Sequence, residues 1–238
     1  MKQIILLQVV SGPDEGPIYA ESNFDAIIAE PWNALSSLLY LVPAFYWLYK
    51  LKGKYGSYPF IAFCIPLLIL GGLGSTLFHA FRSSKLLLVM DVLPITILTL
   101  AVSIFFWIKV FNKWWQAIFY VIVPVYVLQY LVNAYLDPPD SINISYLLTG
   151  INIFVPVLII LRRTGYAKAG LIYLAIFFFG SGIIFRQLDT LMADYLTMGS
   201  HFLWHIFTAA GTFFIAEYIY FYRRYYITQL QETKKKAT

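Results

Sequence analysis

The chain is built from stretches of about 20 residues that are almost free of charged side chains, separated by connections of only a few residues. A helix that crosses a bilayer needs about 20 mostly apolar residues at about 1.5 Å of rise each. We therefore predict an all-α membrane protein in which seven transmembrane helices form one bundle. The predicted spans are 33–51, 59–81, 86–108, 115–136, 142–161, 169–190 and 200–222.

The composition excludes an ordinary water-soluble domain. Apolar residues make up 60% of the chain and charged residues only 12%, which is far from the balance of soluble proteins. The single cysteine, Cys64, excludes an internal disulfide and a cysteine metal cluster. The net charge of +5 is accounted for by the distribution of charge across a membrane, so we expect no nucleic-acid partner.

The distribution of basic residues predicts the orientation of the chain. Of the 17 lysines and arginines, 13 follow the first, third, fifth or seventh predicted span. Because the cytoplasmic side carries the excess of positive charge, we expect the C-terminus in the cytoplasm and the N-terminus on the non-cytoplasmic side. The chain then divides into an N-terminal acidic segment, a transmembrane domain and a basic cytoplasmic tail, at 1–32, 33–222 and 223–238.

All three histidines lie in two short motifs at the ends of predicted spans, one running from Ser75 to His79 and the other from His201 to His205. With these spans, Ser75, Asp91 and His205 share one depth on the outer side, roughly 8 to 9 Å below the membrane boundary. His201 and His205 are four residues apart and therefore project from one face of a helix. Polar groups are costly at that depth unless they are paired or functional, so we predict one shared site.

The residue types at this site are typical of a metal hydrolase. Three neutral imidazoles, from His79, His201 and His205, leave one open position on a tetrahedral zinc ion. Zinc would lower the pKa of a bound water, Asp91 could take its proton as general base, and Ser75 could donate a hydrogen bond to the developing oxyanion. Haem ligation by two histidines is the rival metal chemistry, but it leaves the third histidine and Asp91 without a role.

A resemblance to a known family rests on four motifs, which are Ala29-Glu-Pro-Trp-Asn33, Gly74-Ser-Thr-Leu-Phe-His79, Met90-Asp-Val-Leu-Pro94 and His201-Phe-Leu-Trp-His-Ile206. Together they resemble the alkaline ceramidase family, within the superfamily of seven-span membrane hydrolases that also holds the progestin and adiponectin receptors and hemolysin III. The resemblance implies a zinc amidohydrolase that cleaves the N-acyl bond of ceramide into fatty acid and sphingoid base. It places zinc on the three histidines, and Ser75 and Asp91 at the remaining catalytic positions.

The resemblance also implies a calcium site in the N-terminal segment. Glu21, Asn23 and Glu30 match the family's ligands, with Tyr19 as a backbone-carbonyl ligand, and a hard cation takes oxygen ligands of these types. The sequence departs from the family's pattern because the interval from Asn23 to Glu30 is shorter and the leading aspartate has no counterpart. The alternative is an acidic outer tail that only helps to set the topology, and the sequence leaves both open.

Asp189, near the outer end of the sixth predicted span, resembles a recurring acid of the family that orients a ligand histidine or a substrate hydroxyl. The alternative is a pairing with Arg186, three residues earlier at the membrane interface, and we favour it. Asp189 is therefore not included in the predicted catalytic set.

The predicted function is an intramembrane zinc-dependent amidohydrolase acting on ceramide, or a related lipid amide, that enters from the non-cytoplasmic side. One alternative is a receptor-like member of the superfamily with a structural or weakly hydrolytic zinc site. The other is a transporter that uses the histidines and Asp91 as a proton or metal relay. The predicted orientation argues against the animal receptors, and the sequence shows no repeated half of the kind that many transporters have. The expected location is the endoplasmic reticulum or Golgi membrane in a eukaryote and the cell membrane in a prokaryote.

Overall fold

The computed structural model describes residues 12–136 and 140–237, and every regular element in these residues is helical. The prediction of an all-α protein is therefore confirmed for them. The helices are α1 Pro31–Ser37, α2 Leu41–Lys50, α3 Pro59–Phe81, α4 Lys85–Phe111, α5 Trp114–Ala117, α6 Val123–Tyr135, α7 Asp140–Arg163, α8 Ala169–Gln187, α9 Asp189–Met192 and α10 His201–Ala237. Shorter elements are the 3₁₀ turns Leu38–Tyr40 and Tyr55–Ser57 and the π-helical turn Ile118–Ile122.

Six helices in the described part of the chain are long and apolar enough to cross a membrane. They correspond to the second to seventh predicted spans, and α3 begins and ends where the sequence predicted. Helices of this length and composition indicate an integral membrane protein. The six are Pro59–Phe81, Lys85–Phe111, Trp114–Tyr135, Asp140–Arg163, Ala169–Gln187 and His201–Tyr226.

The first predicted span, 33–51, is not one continuous helix, because a 3₁₀ turn separates α1 from α2. The hydroxyls of Ser36 and Ser37 donate to the carbonyl of Asn33 at 3.1 and 2.8 Å, which bends a helix by competing with its regular bonding. Pro43, early in α2, lacks the N–H that would bond to the carbonyl four residues earlier. These two departures account for the break, and a seventh span stays a prediction.

The described residues fall into two compact units. Among the described residues, the first, which we call the site unit, comprises 19–95 and 168–237, and the second comprises 12–18, 96–136 and 140–167. In the site unit α10 packs along α8, and α1 packs against both α3 and α10. In the second unit α6 packs against α7. The helices that carry the three histidines therefore lie within the site unit, which also contains the part of α4 that carries Asp91.

The last helix, α10, continues beyond the seventh predicted span, so the predicted basic tail, 223–238, has a helical backbone as far as Ala237. At 37 residues it is about 55 Å long. The hydrocarbon core of a bilayer is about 30 Å thick, so part of α10 extends beyond it. The description does not cover residues 1–11 of the acidic segment, residues 137–139, or the side chains of residue 227 and of residues 229–238.

Gly74 lets α3 and α4 approach each other closely in the site unit. A Cβ added at this position would lie 2.1 Å from the carbonyl oxygen of Met90. Because that obstacle is backbone, a side chain at position 74 requires one of the helices to move. The close approach brings Ser75 of α3 within hydrogen-bonding reach of Asp91 of α4.

We expect Gly74→Ala to destabilise the fold by about 1–3 kcal/mol, as overpacking does, because the new methyl group meets the backbone of α4. Gly180→Ala in α8 is the matched control, since no described atom lies within 4 Å of a Cβ added there. Alanine also favours a helix more than glycine does, so this control should keep or raise the stability. Thermal unfolding of the detergent-purified proteins measures both, and a wild-type melting temperature for Gly74→Ala would contradict the described packing.

Candidate metal centre

Three buried histidines converge in the site unit. His79 lies in the last turn of α3, and His201 and His205 lie in the first two turns of α10. Each residue is only 1 to 2% exposed. One ligand nitrogen from each ring lies within 4.8 Å of the other two, and they form the only such group of His, Cys, Asp or Glu side chains found in the described residues.

The partner of His79 determines which of its ring nitrogens can bind a metal. Its Nδ1 lies 2.5 Å from Oε2 of Glu30, the residue immediately before α1. An ionised carboxylate can only accept a hydrogen bond, so Nδ1 carries the proton and Nε2 keeps its lone pair. A carboxylate behind a histidine is usual at zinc sites, where it orients the ring and makes the nitrogen a stronger ligand.

His205 is oriented in a similar way by two serines. Its Nδ1 lies 2.9 Å from Oγ of Ser36 and 3.2 Å from Oγ of Ser37. Both hydroxyls donate their protons to the carbonyl of Asn33, so Nδ1 of His205 is the donor and Nε2 keeps its lone pair. The break between α1 and α2 therefore supplies the partners of this ring.

His201 has a different environment from the other two rings. The ring of Tyr19 stacks on it, with a centroid distance of 3.8 Å and an interplanar angle of 24°. Its Nδ1 is buried and has no hydrogen-bond partner among the described residues. A buried nitrogen without a partner is costly, and a bound ion or water beside this ring would remove that cost.

This donor set fits zinc. Structural and catalytic zinc sites take nitrogen from neutral imidazoles, and a catalytic site combines three protein ligands with one open position. Two of the three rings have Nδ1 committed to partners that leave Nε2 available, and the third has an unmatched buried nitrogen. All three rings lie on helices rather than on loops, which keeps their positions fixed.

Ser75 and Asp91 lie beside the histidines. Their side chains are hydrogen-bonded to each other, and Asp91 lies near His79. Oγ of Ser75 also lies 3.0 Å from Oγ of Ser37. Ser75 has one proton, which it donates to either Asp91 or Ser37, and Ser37 in turn contacts His205, so polar contacts connect Asp91 to a candidate metal ligand.

Glu30 is a fully buried carboxylate with partners on both of its oxygens. Besides His79 it accepts hydrogen bonds from the hydroxyl of Ser22 and, at 3.2 Å, from the amide of Asn33, and it forms an ion pair with Arg82. Burial alone would raise the pKa of Glu30, but His79, Arg82 and Ser22 outweigh it and hold the pKa below its usual value. Glu30 therefore supplies a fixed negative charge behind the imidazoles.

The other residues predicted to bind calcium also have hydrogen-bond or stacking partners. The carboxylate of Glu21 accepts the backbone N–H groups of Trp32 and Asn33, at 2.6 and 2.9 Å, and so caps the start of α1. Burial raises the pKa of Glu21, and these two hydrogen bonds offset only part of the rise. Oδ1 of Asn23 accepts the N–H of Asp25 at 3.1 Å. The calcium role stays a prediction for Tyr19, Glu21, Asn23 and Glu30.

Asp189 holds the start of α10, a role that the sequence did not indicate. Its Oδ1 accepts the backbone N–H groups of Ser200 and His201, both at 2.8 Å, and its Oδ2 accepts that of Ala20 at 2.8 Å. A Cβ at Gly199, which has a φ of +66°, would lie 2.2 Å from Oδ1. Asp189 thus acts on the backbone that carries a candidate ligand rather than on its imidazole.

The comparison with known families covers the whole of this site. A family model described as Ceramidase matches residues 19–237, which include every residue named above. The chain belongs to the Ceramidase family. Membership confirms the resemblance predicted from the four sequence motifs, and it implies a hydrolase that acts on amide bonds, with ceramide as the substrate that the family suggests. No curated protein was found to match the chain.

Several polar partners of this Ceramidase-family site, among them Ser36, Ser37 and Arg82, were not predicted as site residues. Ser36 and Ser37 follow Asn33 at helical spacing inside an otherwise apolar span, and that pattern of polar groups at membrane depth is the signal that identifies them. Arg82 comes directly after α3, the helix that carries His79. Its place three residues after His79, and so nearly one turn further on, is the corresponding signal.

We expect Asp189→Asn to lower the free energy of unfolding by about 1–2 kcal/mol, because an amide keeps one accepting oxygen and turns an N–H toward a backbone donor. Zinc content should fall as well, since the start of α10 carries His201. The control is Asp194→Asn, an exposed carboxylate in the same connection. Thermal unfolding and elemental analysis measure the two effects, and a variant indistinguishable from the Asp194 control would show that Asp189 does not hold α10.

Proposed function

We propose that the chain is a zinc-dependent amidohydrolase of the membrane that cleaves the N-acyl bond of ceramide, or of a related lipid amide, into a fatty acid and a sphingoid base. The observation that carries the proposal is the convergence of three buried imidazoles, two of which keep the Nε2 lone pair because Nδ1 donates elsewhere. Family membership supports the reaction class. The proposed zinc ligands are His79, His201 and His205, and the proposed catalytic residues are Ser75 and Asp91.

The proposed chemistry needs a proton to move from water to the leaving nitrogen. His79, His201 and His205 would hold the zinc, which when bound would act as a Lewis acid on the amide carbonyl and would lower the pKa of the attacking water. Asp91 is the proposed general base, since its carboxylate lies beside the histidines and is held by Ser75. It removes a proton from the attacking water and then returns that proton to the nitrogen of the departing sphingoid base.

Ser75 is the proposed donor to the oxygen that gains negative charge when water adds to the amide carbonyl. Its residue is only 3% exposed, and its hydroxyl is linked to Ser37 and Asp91 before any substrate arrives. A serine hydroxyl has one proton, so in the reaction Ser75 would turn that proton from its resting partner to this oxygen. Removing one such donor typically costs about 10²–10³ in kcat.

The surface around Asp91 suits a lipid substrate. Four apolar residues of α4 flank it and are at least partly open to the surroundings, at exposures of 37 to 51%. In a bilayer such a surface contacts acyl chains, so a ceramide could reach Asp91 sideways from the outer half of the membrane. These residues are Val89, Met90, Val92 and Leu93.

The first test is the release of fatty acid from a panel of ceramides by the detergent-purified protein, read by mass spectrometry with and without a zinc chelator. We expect release that the chelator abolishes and added zinc restores. His79→Ala should lose both the metal and the activity. Asp91→Asn should keep the metal and lower kcat by about 10²–10⁴-fold, because it removes only the proton transfer.

The outcomes of this test separate the proposals. Release that survives the chelator, or a His79→Ala protein that keeps both zinc and activity, would overturn the metal centre. Zinc that is bound without hydrolysis of any ceramide or other lipid amide would contradict the hydrolase and favour the receptor-like alternative. Asp194→Asn serves as the control for Asp91→Asn, because it removes an exposed carboxylate that has no proposed part in the reaction.

The proposed orientation has seven spans, with the N-terminus on the non-cytoplasmic side and the C-terminus in the cytoplasm. Cys64→Ala removes the only cysteine, and Asp25→Cys and Lys52→Cys then place single labels at exposed positions on opposite predicted sides. In sealed spheroplasts we expect a membrane-impermeant maleimide to label the Asp25→Cys protein at once and the Lys52→Cys protein only after permeabilisation. The reverse pattern would contradict the orientation inferred from charge.

A further inference from the structure

Arg82 is an almost completely buried cation beside the candidate metal centre. It is 2% exposed and ends α3, three residues after His79, with a φ of +45°. A left-handed backbone is uncommon for an arginine, so contacts of the residue have to hold it there. A charge removed from water also needs a partner of opposite charge.

The contacts of the guanidinium provide that partner. It forms an ion pair with Glu30, and it lies over the rings of Phe78 and Phe24 at 4.6 and 5.3 Å from their centroids. Aromatic faces attract a cation, most strongly where water is excluded. Breaking one side of a buried ion pair is strongly destabilising because it leaves the other charge uncompensated.

The two oxygens of Glu30 connect this cation to a candidate zinc ligand. Oε1 accepts from Arg82 and from Ser22, and Oε2 accepts from Nδ1 of His79 and from the amide of Asn33. Two donors on each oxygen fix the carboxylate in one orientation. The position of the His79 ring therefore depends on a carboxylate that Arg82 holds in place.

These contacts do not fit a calcium ion on Glu30. Calcium takes about six to eight oxygen ligands and needs carboxylate oxygens that are open to it. Here both oxygens already accept from donors, one of which carries a fixed positive charge that repels a second cation. The oxygens of Glu21 and Asn23 likewise accept backbone N–H groups.

We propose that the ion pair between Arg82 and Glu30 positions His79 as a metal ligand. Arg82 supplies the positive charge that Glu30 requires, so the protein needs no calcium for this purpose. The inference rests on the proposed metal centre. Arg82 and Glu30 are positioning residues, because they act on the metal through His79 and do not themselves have to touch the substrate.

The test compares the wild-type protein with Arg82→Gln, Arg82→Lys and Lys85→Gln. Zinc affinity is measured by competition with a chelator, and the visible spectrum of the cobalt-substituted protein reports the geometry of the ligands. We expect Arg82→Gln to bind zinc about 10–100-fold more weakly and to change the cobalt spectrum. Arg82→Lys should show an intermediate loss, because it restores the charge without the planar guanidinium. Lys85→Gln removes the same charge from an exposed position nearby and should match the wild type.

A second measurement addresses calcium on the wild-type protein alone. Neither millimolar calcium nor a calcium chelator should change its melting temperature or its zinc affinity. A calcium-dependent rise in the melting temperature would overturn the proposal, as would wild-type zinc affinity and cobalt spectrum in Arg82→Gln. If Arg82→Gln does not fold, wild-type values in Arg82→Lys would overturn it instead. A wild-type protein that binds neither zinc nor cobalt would contradict the proposed metal centre. The calcium measurement would still test separately whether the protein binds calcium.

Discussion

Each nitrogen of the three buried imidazole rings needs a hydrogen-bond partner or a bound ion, because none of the rings is in contact with water. In this protein, Nδ1 of His79 is hydrogen-bonded to a carboxylate, and Nδ1 of His205 is hydrogen-bonded to two serine hydroxyls. These partners lie at the start of the first helical region. The helices that carry the histidines supply neither partner. The site therefore consists of candidate ligands from α3 and α10 and of orienting groups from residues 30–37, and each set is incomplete without the other.

The N-terminal segment of the site unit is consequently part of the site and more than an acidic tail that sets topology. Glu21 caps α1, Glu30 joins His79 to Arg82, and Tyr19 covers the ring of His201. Asp189 connects this segment to the start of α10 through Ala20. Charged and polar residues that look alike in the sequence thus have separate structural roles, each set by a particular backbone or side-chain partner.

Helix positions and candidate ligands could be predicted from the sequence because both depend on local patterns. An apolar run of the right length defines α3, and two histidines four residues apart define a ligand pair on one helical face. The contacts of Glu30 with His79 and Arg82 could not be predicted in this way, since these two partners lie 49 and 52 residues further along the chain. The break in the first predicted span was missed because hydropathy does not register the back-bonding of Ser36 and Ser37 or the N–H that Pro43 lacks.

The contact between Ser36 and His205 joins residues that are 169 positions apart, close to the two ends of the site unit in the sequence. Before α10 has been synthesised and has packed against α1, the oxygens of Ser36 and Ser37 have no imidazole N–H to accept. His79 on α3 likewise has no second or third histidine near it. Metal binding of this kind is coupled to folding, because the ligand set does not exist in the unfolded chain. For the proposed metal centre, the order of synthesis would therefore make the acquisition of zinc a late step, one that follows the insertion of α10 and completes the tertiary structure.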